Sequence, residues 1–396
     1  MTIIVDLRCL NYKPITGVNA YCIRFLHCLY INKNKYSQFK ILGLGLHKNR
    51  QIELNKDFYF FEMLFEGHLT LGEYLNTSTK NSRLNEIKTI GSLYTKKNIN
   101  SSKVKFFDLL LLPQPRPILK HPNTKLITVV HDIFSILDRS SNLTQKIIYS
   151  KTTLNKILSE SQKTIVNSMA TGYDIQKYFK NKSQINLVYP SLPKLSEIST
   201  KVFLTEGEVG KYLKKITKKP FILALSGIEK RKNWLNLIKA YNILAQKNQE
   251  SPSLILAGTI VDQKYYKQIL NLIQKLNLKS IIWFLNPTEE EKEFLLKNCC
   301  LFVYPSIYEG FGFPILEALQ FETKVLTSSI SSMPEVGGQN CKYINPFNPL
   351  DIFFGIVNNL NKEKTREQNC VVKFDWLELE VWLEKNVFEY LKTSKE

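Results

Sequence analysis

The chain has 396 residues, of which 44% are hydrophobic and 12% aromatic, with 54 Lys+Arg against 35 Asp+Glu for a net charge of +19. That length and apolar content can bury a large core and favour two domains over one, and no apolar run approaches the roughly 18 residues a membrane span needs. The seven cysteines (Cys9, Cys22, Cys28, Cys299, Cys300, Cys341, Cys370) are odd in number and lack Cys-x-x-Cys or zinc-finger spacing, so they read as reduced core thiols of a cytoplasmic protein.

In chain order, "MTIIVDLRCL" reads as a strand, because Asp6 and Arg8 interrupt it too early for a leader or an anchor. "NAYCIRFLHCLY" and "LTQKIIYSKTTLNKILSE" read as helices, and "KLITVVHDIF", "QKTIVNS" and "QINLVYPS" as strands. These elements place a first Rossmann-like domain at residues 1–195. Residues 196–219 carry the prolines, charges and polar residues of a linker.

A cleaner rhythm follows. "PFILALSG", "SLILAG", "SIIWFL", "CLFVYPS" and "KVLTSS" read as strands. Between and after them, "NWLNLIKAYNILAQK", "DQKYYKQILNLIQKLNL", "TEEEKEFLLKNC", "PILEALQ" and "PLDIFFGIVNNL" have helical spacing, with Thr288 as an N-cap and Pro314 at the first position of its helix. Strands alternating with helices predict a doubly wound parallel sheet over residues 220–371. Residues 372–396 contain "FDWLELEVWLEKNVFEYLKTS", an amphipathic helix.

Charge is uneven. Residues 1–200 hold 28 Lys+Arg against 13 Asp+Glu, a net of +15, which leaves 26 against 22, a net of +4, for the remainder. A basic first half suits an anionic membrane surface, a phosphorylated substrate or nucleic acid. Nucleic acid is the weaker expectation, since the basic residues are scattered and no recognised binding motif is present.

The chemistry concentrates in "YPSIYEGFGFPILEA". It lies between the strand ending near Tyr304 and the following helix, at the carboxyl edge of the sheet where doubly wound folds bind ligands. Gly310 and Gly312 permit close backbone approach, and the helix start offers N–H groups to an anion. Two carboxylates beside a phosphate site need another task. In a nucleotide-sugar, Glu309 would take the sugar hydroxyls, Glu317 the ribose hydroxyls, and the amides between them the diphosphate. "SGIEKRKNW" brings Arg231 and Lys232 to the same edge as cations for that diphosphate.

"GIEKRKNWLNLIKAY", "FVYPSIYEGFGFPILEAL" and "SSMPEVGG", in this order, resemble family 4 of the retaining glycosyltransferases, with the E-x7-E signature met by Glu309 and Glu317. The resemblance implies the GT-B fold: two Rossmann-like doubly wound domains facing a central cleft, with the C-terminal helix crossing back to the N-terminal domain. It also implies Arg231 and Lys232 on the donor diphosphate, Glu309 on the transferred sugar, the backbone of Gly310, Phe311, Gly312 and Phe313 along sugar and phosphate, and Glu317 on the ribose. "PITGVNAYC" resembles the family's glycine loop, which puts Gly17 and Val18 near the diphosphate, and "TVVHDIF" resembles its His-Asp step, which puts His131 at the reaction centre. Asp132 is equally well read as a cap.

The activity so implied is retaining, metal-independent transfer of a hexose, mannose from GDP-mannose first, to a glycan or lipid-linked glycan in O-antigen or capsule assembly. No cofactor is expected beyond the nucleotide-sugar co-substrate. The location is cytoplasmic and peripheral on the membrane's inner face. An epimerase-like or other nucleotide-sugar enzyme of GT-B fold, or a basic nucleic-acid-binding protein, is the alternative. Glu309→Ala and Lys232→Ala are expected to abolish turnover without unfolding the chain, as ligand-facing residues.

Overall fold

The computed structural model describes residues 1–7, 10, 17–36, 38–44, 68–69, 104–116, 118, 120–138, 150–180, 183–191, 215–247, 250–361 and 374–393. The chain divides into two compact units, Met1–Ser191 with Asp375–Glu396, and Leu192–Phe374. The second boundary falls three residues beyond the 372 read from the sequence, and most of the expected linker, residues 196–214, lies outside the described residues.

The first unit runs β1 (Thr2–Asp6), α1 (Gly17–Lys35), β2 (Lys40–Leu44), β3 (His68–Leu69), β4 (Leu109–Leu112), β5 (Lys125–Val130), a single turn α2 (Phe134–Leu137), α3 (Lys151–Glu160), β6 (Lys163–Val166), α4 (Met169–Tyr178) and β7 (Gln184–Leu187). Its parallel sheet has the order β3-β2-β1-β4-β5-β6-β7. Strand β4, four consecutive leucines, is buried throughout, as a central parallel strand covered on both faces must be. Ser150 and Ser168 cap α3 and α4 by accepting from the amides of Thr153 and Thr171. Of the helix read from residue 143, Lys151–Glu160 is helical, and residues 143–149 lie outside the described residues.

The second unit runs β8 (Phe221–Leu225), a 3-10 turn (Lys230–Lys232), α5 (Trp234–Lys247), β9 (Ser253–Gly258), α6 (Gln263–Lys275), β10 (Ile281–Leu285), α7 (Glu289–Asn298), β11 (Leu301–Tyr304), α8 (Phe313–Gln320), β12 (Val325–Ser328), α9 (Met333–Gly337), β13 (Cys341–Ile344) and α10 (Pro349–Leu360). The parallel order is β10-β9-β8-β11-β12-β13. The winding thus reverses between β8 and β11, and at such a switch point the loops leaving the two strands diverge and open a crevice. Thr288 and Glu291 form a reciprocal capping box at α7. Helix α8 starts at Phe313 with Gly312 as N-cap, so Pro314 occupies the second helical position rather than the first.

The chain then returns to the first unit as α11 (Leu377–Leu383), which continues through a π-turn (Glu384–Glu389) to Tyr390–Thr393. Leu379, Leu383, Val387, Phe388 and Leu391 are buried in one cluster with Ile3, Val5, Phe25 and Leu29. Burying five large apolar side chains stabilises this docking by roughly 1.5–3 kcal/mol each before ordering costs. Polar ties add direction: Asn32 Nδ2 donates to the Glu380 carbonyl at 3.0 Å, and the Lys125 and Lys163 ammoniums lie over the Tyr390 ring at 4.2 and 5.5 Å. Among the described residues no helix is long and apolar enough to cross a membrane.

Candidate active site

The sequence returns its cations and its first glutamate to one place because their loops leave neighbouring strands. The turn after β8 carries Arg231 and Lys232, the loop after β11 carries Glu309, and the Ile307 amide donates to the Arg231 carbonyl at 2.8 Å. Asn233 holds the turn in a left-handed conformation (φ 62°), which asparagine tolerates better than most residues. Its Nδ2 donates to the Pro305 carbonyl at 3.0 Å and to the Pro346 carbonyl at 2.7 Å, tying together the loops after β8, β11 and β13. Gly258 ends β9 beside this edge, where a Cβ would lie 1.8 Å from the Ser226 carbonyl oxygen.

Both oxygens of Glu309 are engaged. Arg231 donates to Oε2 at 2.5 Å, while Lys232 Nζ and Tyr304 Oη donate to Oε1 at 2.6 and 2.8 Å. Arg231 also pairs with Glu229 at 2.7 Å and donates to the Tyr308 carbonyl. Ser331 and Ser332, at the start of α9, donate to the Glu309 carbonyl at 2.7 and 3.1 Å, and Ser332 reaches the Phe311 carbonyl at 2.6 Å. The glycine-rich loop is thereby fixed along its backbone, and Phe311 packs edge-on against Phe313 and Phe374.

Burial by itself would raise the Glu309 carboxyl, but Arg231 and Lys232 outweigh it and hold the group at about 2, so it is ionised. Burial pushes the Lys232 ammonium down, with Glu309 opposing. Lys232 and Glu309 are 7% and 6% exposed, so both are largely buried as well as paired, where the sequence reading expected them to lie outside the core. The difference has a plain cause: each neutralises the other, so burial of either charge depends on its partner. Arg231, with its side chain 20% exposed, is the more outward cation.

Glu317 lies one turn into α8 and is half-buried. Burial pushes its carboxyl up to about 7, partly offset by Lys292 and reinforced by Glu289, both on α7. Gly312, left-handed at φ 111°, caps α8 without a side-chain acceptor, so the first turn of that helix has no internal anion. Gly310 and Phe311 are buried in the loop that precedes it.

The remaining sequence candidates belong to the first unit. Gly17 and Val18 open α1, whose first turn contains no acidic residue. His131 follows β5 and is 6% exposed, with its ring 4.8 Å from that of Tyr21 and edge-on to it. Nε2 lies 2.7 Å from the Pro113 carbonyl, which can only accept, so Nε2 carries the proton and Nδ1 the lone pair. Burial keeps the imidazole below its ordinary value, against the Pro113 bond and Asp132, and it is neutral at pH 7. Asp132 accepts from the Phe134 amide at 3.0 Å and is a local cap.

Sequence reasoning gave no role to Tyr304, Asn233, Ser331 or Ser332. Asn233 and the serines stand inside motifs already singled out, but what they contribute is contact with backbone carbonyls distant in sequence, which spacing does not reveal. Tyr304 could have been noticed as a hydroxyl at the end of an otherwise apolar buried strand.

Residues 209–367 match the family Glycosyl transferases group 1. The serotype-specific mannosyltransferase WbdA of Escherichia coli is 38% identical over 134 residues, 33% of this chain and 16% of that relative, so the match spans about one sixth of its length. The O-antigen chain mannosyltransferase B of Escherichia coli is 26% identical over 64% of this chain and 66% of its own, and the O-antigen chain mannosyltransferase RfbU of Salmonella typhimurium is 24% identical over 66% and 72%. Among solved structures, Anabaena Alr3699/HepE with UDP and glucose superposes with a TM-score of 0.63 at 16% identity, and sucrose-phosphate synthase from Thermosynechococcus elongatus with 0.64 at 13%, each over 99% of both chains. Two parallel doubly wound sheets, a C-terminal helix returned to the first unit and these likenesses together make this a chain of GT-B fold, whose residues 209–367 match Glycosyl transferases group 1.

Proposed function

We propose that the protein is a retaining, metal-independent glycosyltransferase that moves a hexose, mannose from GDP-mannose, to a glycan or lipid-linked glycan in O-antigen or capsule assembly. The observation that carries this reading is the Arg231–Lys232–Glu309 cluster at the switch point of the second sheet, beside the uncapped start of α8. Its sharper part, mannose, draws on the printed names of the O-antigen mannosyltransferases that the chain resembles.

When a nucleotide-sugar loses its sugar, negative charge grows on the departing diphosphate. Arg231, Lys232 and the α8 amides offer fixed donors to that charge, and donors already oriented stabilise it without reorganising. These cations fill the role that a divalent metal fills elsewhere. Glu309 is a poor nucleophile in this arrangement, because both its oxygens are held and its proton affinity is low. Retention then proceeds on one face of the sugar, with the leaving phosphate accepting the proton of the incoming hydroxyl. Glu317, ionised above about pH 7, accepts from the ribose hydroxyls. On the first unit, Gly17 and Val18 offer backbone donors to a diphosphate, and neutral His131 accepts from a sugar hydroxyl. The basic first half suits peripheral contact with an anionic inner membrane face, in keeping with a cytoplasmic enzyme acting on lipid-linked glycans.

The test is transfer itself. The purified chain is supplied with GDP-mannose, UDP-glucose, UDP-N-acetylglucosamine or dTDP-rhamnose and a mannose-terminated lipid-linked oligosaccharide, with and without EDTA, and the new anomeric linkage is followed by proton NMR. An α-mannoside formed from GDP-mannose in EDTA supports the proposal. Transfer of another sugar corrects the donor, a product whose anomeric configuration is opposite to that of its donor overturns retention, and no transfer from any donor overturns the activity.

A further inference from the structure

Tyr304 ends β11, is 2% exposed and stacks on Phe302 with ring centroids 5.8 Å apart. Phenylalanine would fill that space equally well. The tyrosine adds a hydroxyl inside the protein, which is unfavourable unless it is hydrogen-bonded. Here it has two partners: Lys232 Nζ donates to Oη at 2.8 Å, and Oη donates to Glu309 Oε1 at 2.8 Å. Lys232 donates to the same Oε1 at 2.6 Å, so ammonium, hydroxyl and carboxylate form a closed triangle. Its sense is fixed, since an ammonium has no lone pair and the hydroxyl proton must go to the carboxylate.

The triangle commits two of the three Lys232 donors and thereby sets the direction of the third. The ammonium also lies 5.2 Å from the Tyr304 ring centroid, which restricts it further. Lysine is otherwise a flexible point charge on a four-carbon stem and lacks the fixed fork of arginine. We propose that Tyr304 is a positioning residue, which fixes the Lys232 ammonium so that its remaining donor meets the ligand phosphate without reorganising. This rests on the reading above that Lys232 engages a diphosphate.

The charged groups around the ammonium are Glu229 and Arg231 from the turn after β8 and Glu309 from the loop after β11, and Tyr304→Phe leaves all three in place. Tyr265→Phe is the control, because it removes another buried hydroxyl of the same unit, one that accepts from the Leu235 amide at 3.2 Å. The first readout needs no ligand: the Lys232 titration followed by lysine-selective 13Cε NMR, with its signal assigned by Lys232→Met. Loss of a hydrogen-bond acceptor disfavours the charged form, so Lys232 in Tyr304→Phe loses its proton about one pH unit lower than in wild type, and in Tyr265→Phe at the wild-type pH. The second readout is GDP-mannose turnover, in which Tyr304→Phe lowers kcat about tenfold with KM within about twofold, and Tyr265→Phe changes neither.

An unchanged Lys232 titration, or unchanged kcat in an active protein, overturns the positioning role. Wild type that turns over no nucleotide-sugar, with the titration shifted in Tyr304→Phe alone, overturns the donor-site reading while upholding the coupling of Tyr304 to Lys232.

Discussion

Replacing Glu309 by alanine removes the one carboxylate on which two cations and a buried hydroxyl converge. Lys232 would then keep only Tyr304 inside the protein, and Arg231 only Glu229 and the Tyr308 carbonyl among the partners described above. Breaking a buried pair by deleting one partner typically costs about 3–5 kcal/mol. Proton linkage gives an independent figure. The carboxyl falls from its ordinary 4.5 to about 2 on folding, which corresponds to about 3 kcal/mol. Because the folded value is the lower one, this stabilisation is fully present above about pH 4.5 and is lost as pH falls toward 2. The assay is urea-dependent hydrogen exchange of the β8 and β11 amides, which reports the opening of the second unit. At pH 7 Glu309→Ala should open at about 3–5 kcal/mol lower free energy than wild type, and the difference should shrink between pH 4.5 and 2. Glu309→Gln, which keeps shape and an acceptor but not charge, should fall between them. A loss below about 1 kcal/mol for the alanine variant, or a difference independent of pH over that window, refutes the reasoning.

Glu317 behaves in the opposite sense. Its folded value of about 7 lies above 4.5, so its contribution to stability is full below about pH 4.5 and is lost as pH rises through about 7. Glu317→Gln should therefore match wild type at pH 4 and exceed it by about 1–2 kcal/mol at pH 8, after allowance for partial solvent screening; equal urea midpoints at both pH values would contradict this. Asn233→Ala loses two hydrogen bonds to carbonyls and places a less tolerant residue at φ 62°. It should cost about 2–4 kcal/mol in urea unfolding, with Asn233→Gly recovering only the backbone share; an alanine variant as stable as wild type would remove Asn233 as the tie between these loops.

The second sheet was legible because its strands are short apolar runs punctuated by capped helices. "SLILAG" coincides with β9, and Thr288 caps α7 as its spacing with Glu291 requires. Strands β2, β4 and β13 escaped the reading for different reasons. "KILGL" and "CKYI" are too short to show a period, and "LLLL" gives no alternation because both its faces are buried. In the site, the order of the motifs identified Arg231, Lys232 and Glu309, but not that they pair with one another. That pairing follows from the adjacency of β8 and β11, which meet only in the sheet, where Leu301 lies opposite Ile222, 79 positions earlier in the chain. Spacing alone placed Glu309 toward the ligand, whereas the fold directs its oxygens toward the cations.

The most direct test of the central claim is a thermal-shift comparison of wild type with Arg231→Met and Lys232→Met against GDP, UDP, dTDP, ADP and their common sugar conjugates, since a ligand selective for the folded state raises Tm. A donor site built on these two cations predicts that GDP and GDP-mannose raise the wild-type Tm and that both variants lose the response. Wild type unmoved by every nucleotide, or a shift retained in both variants, would contradict it.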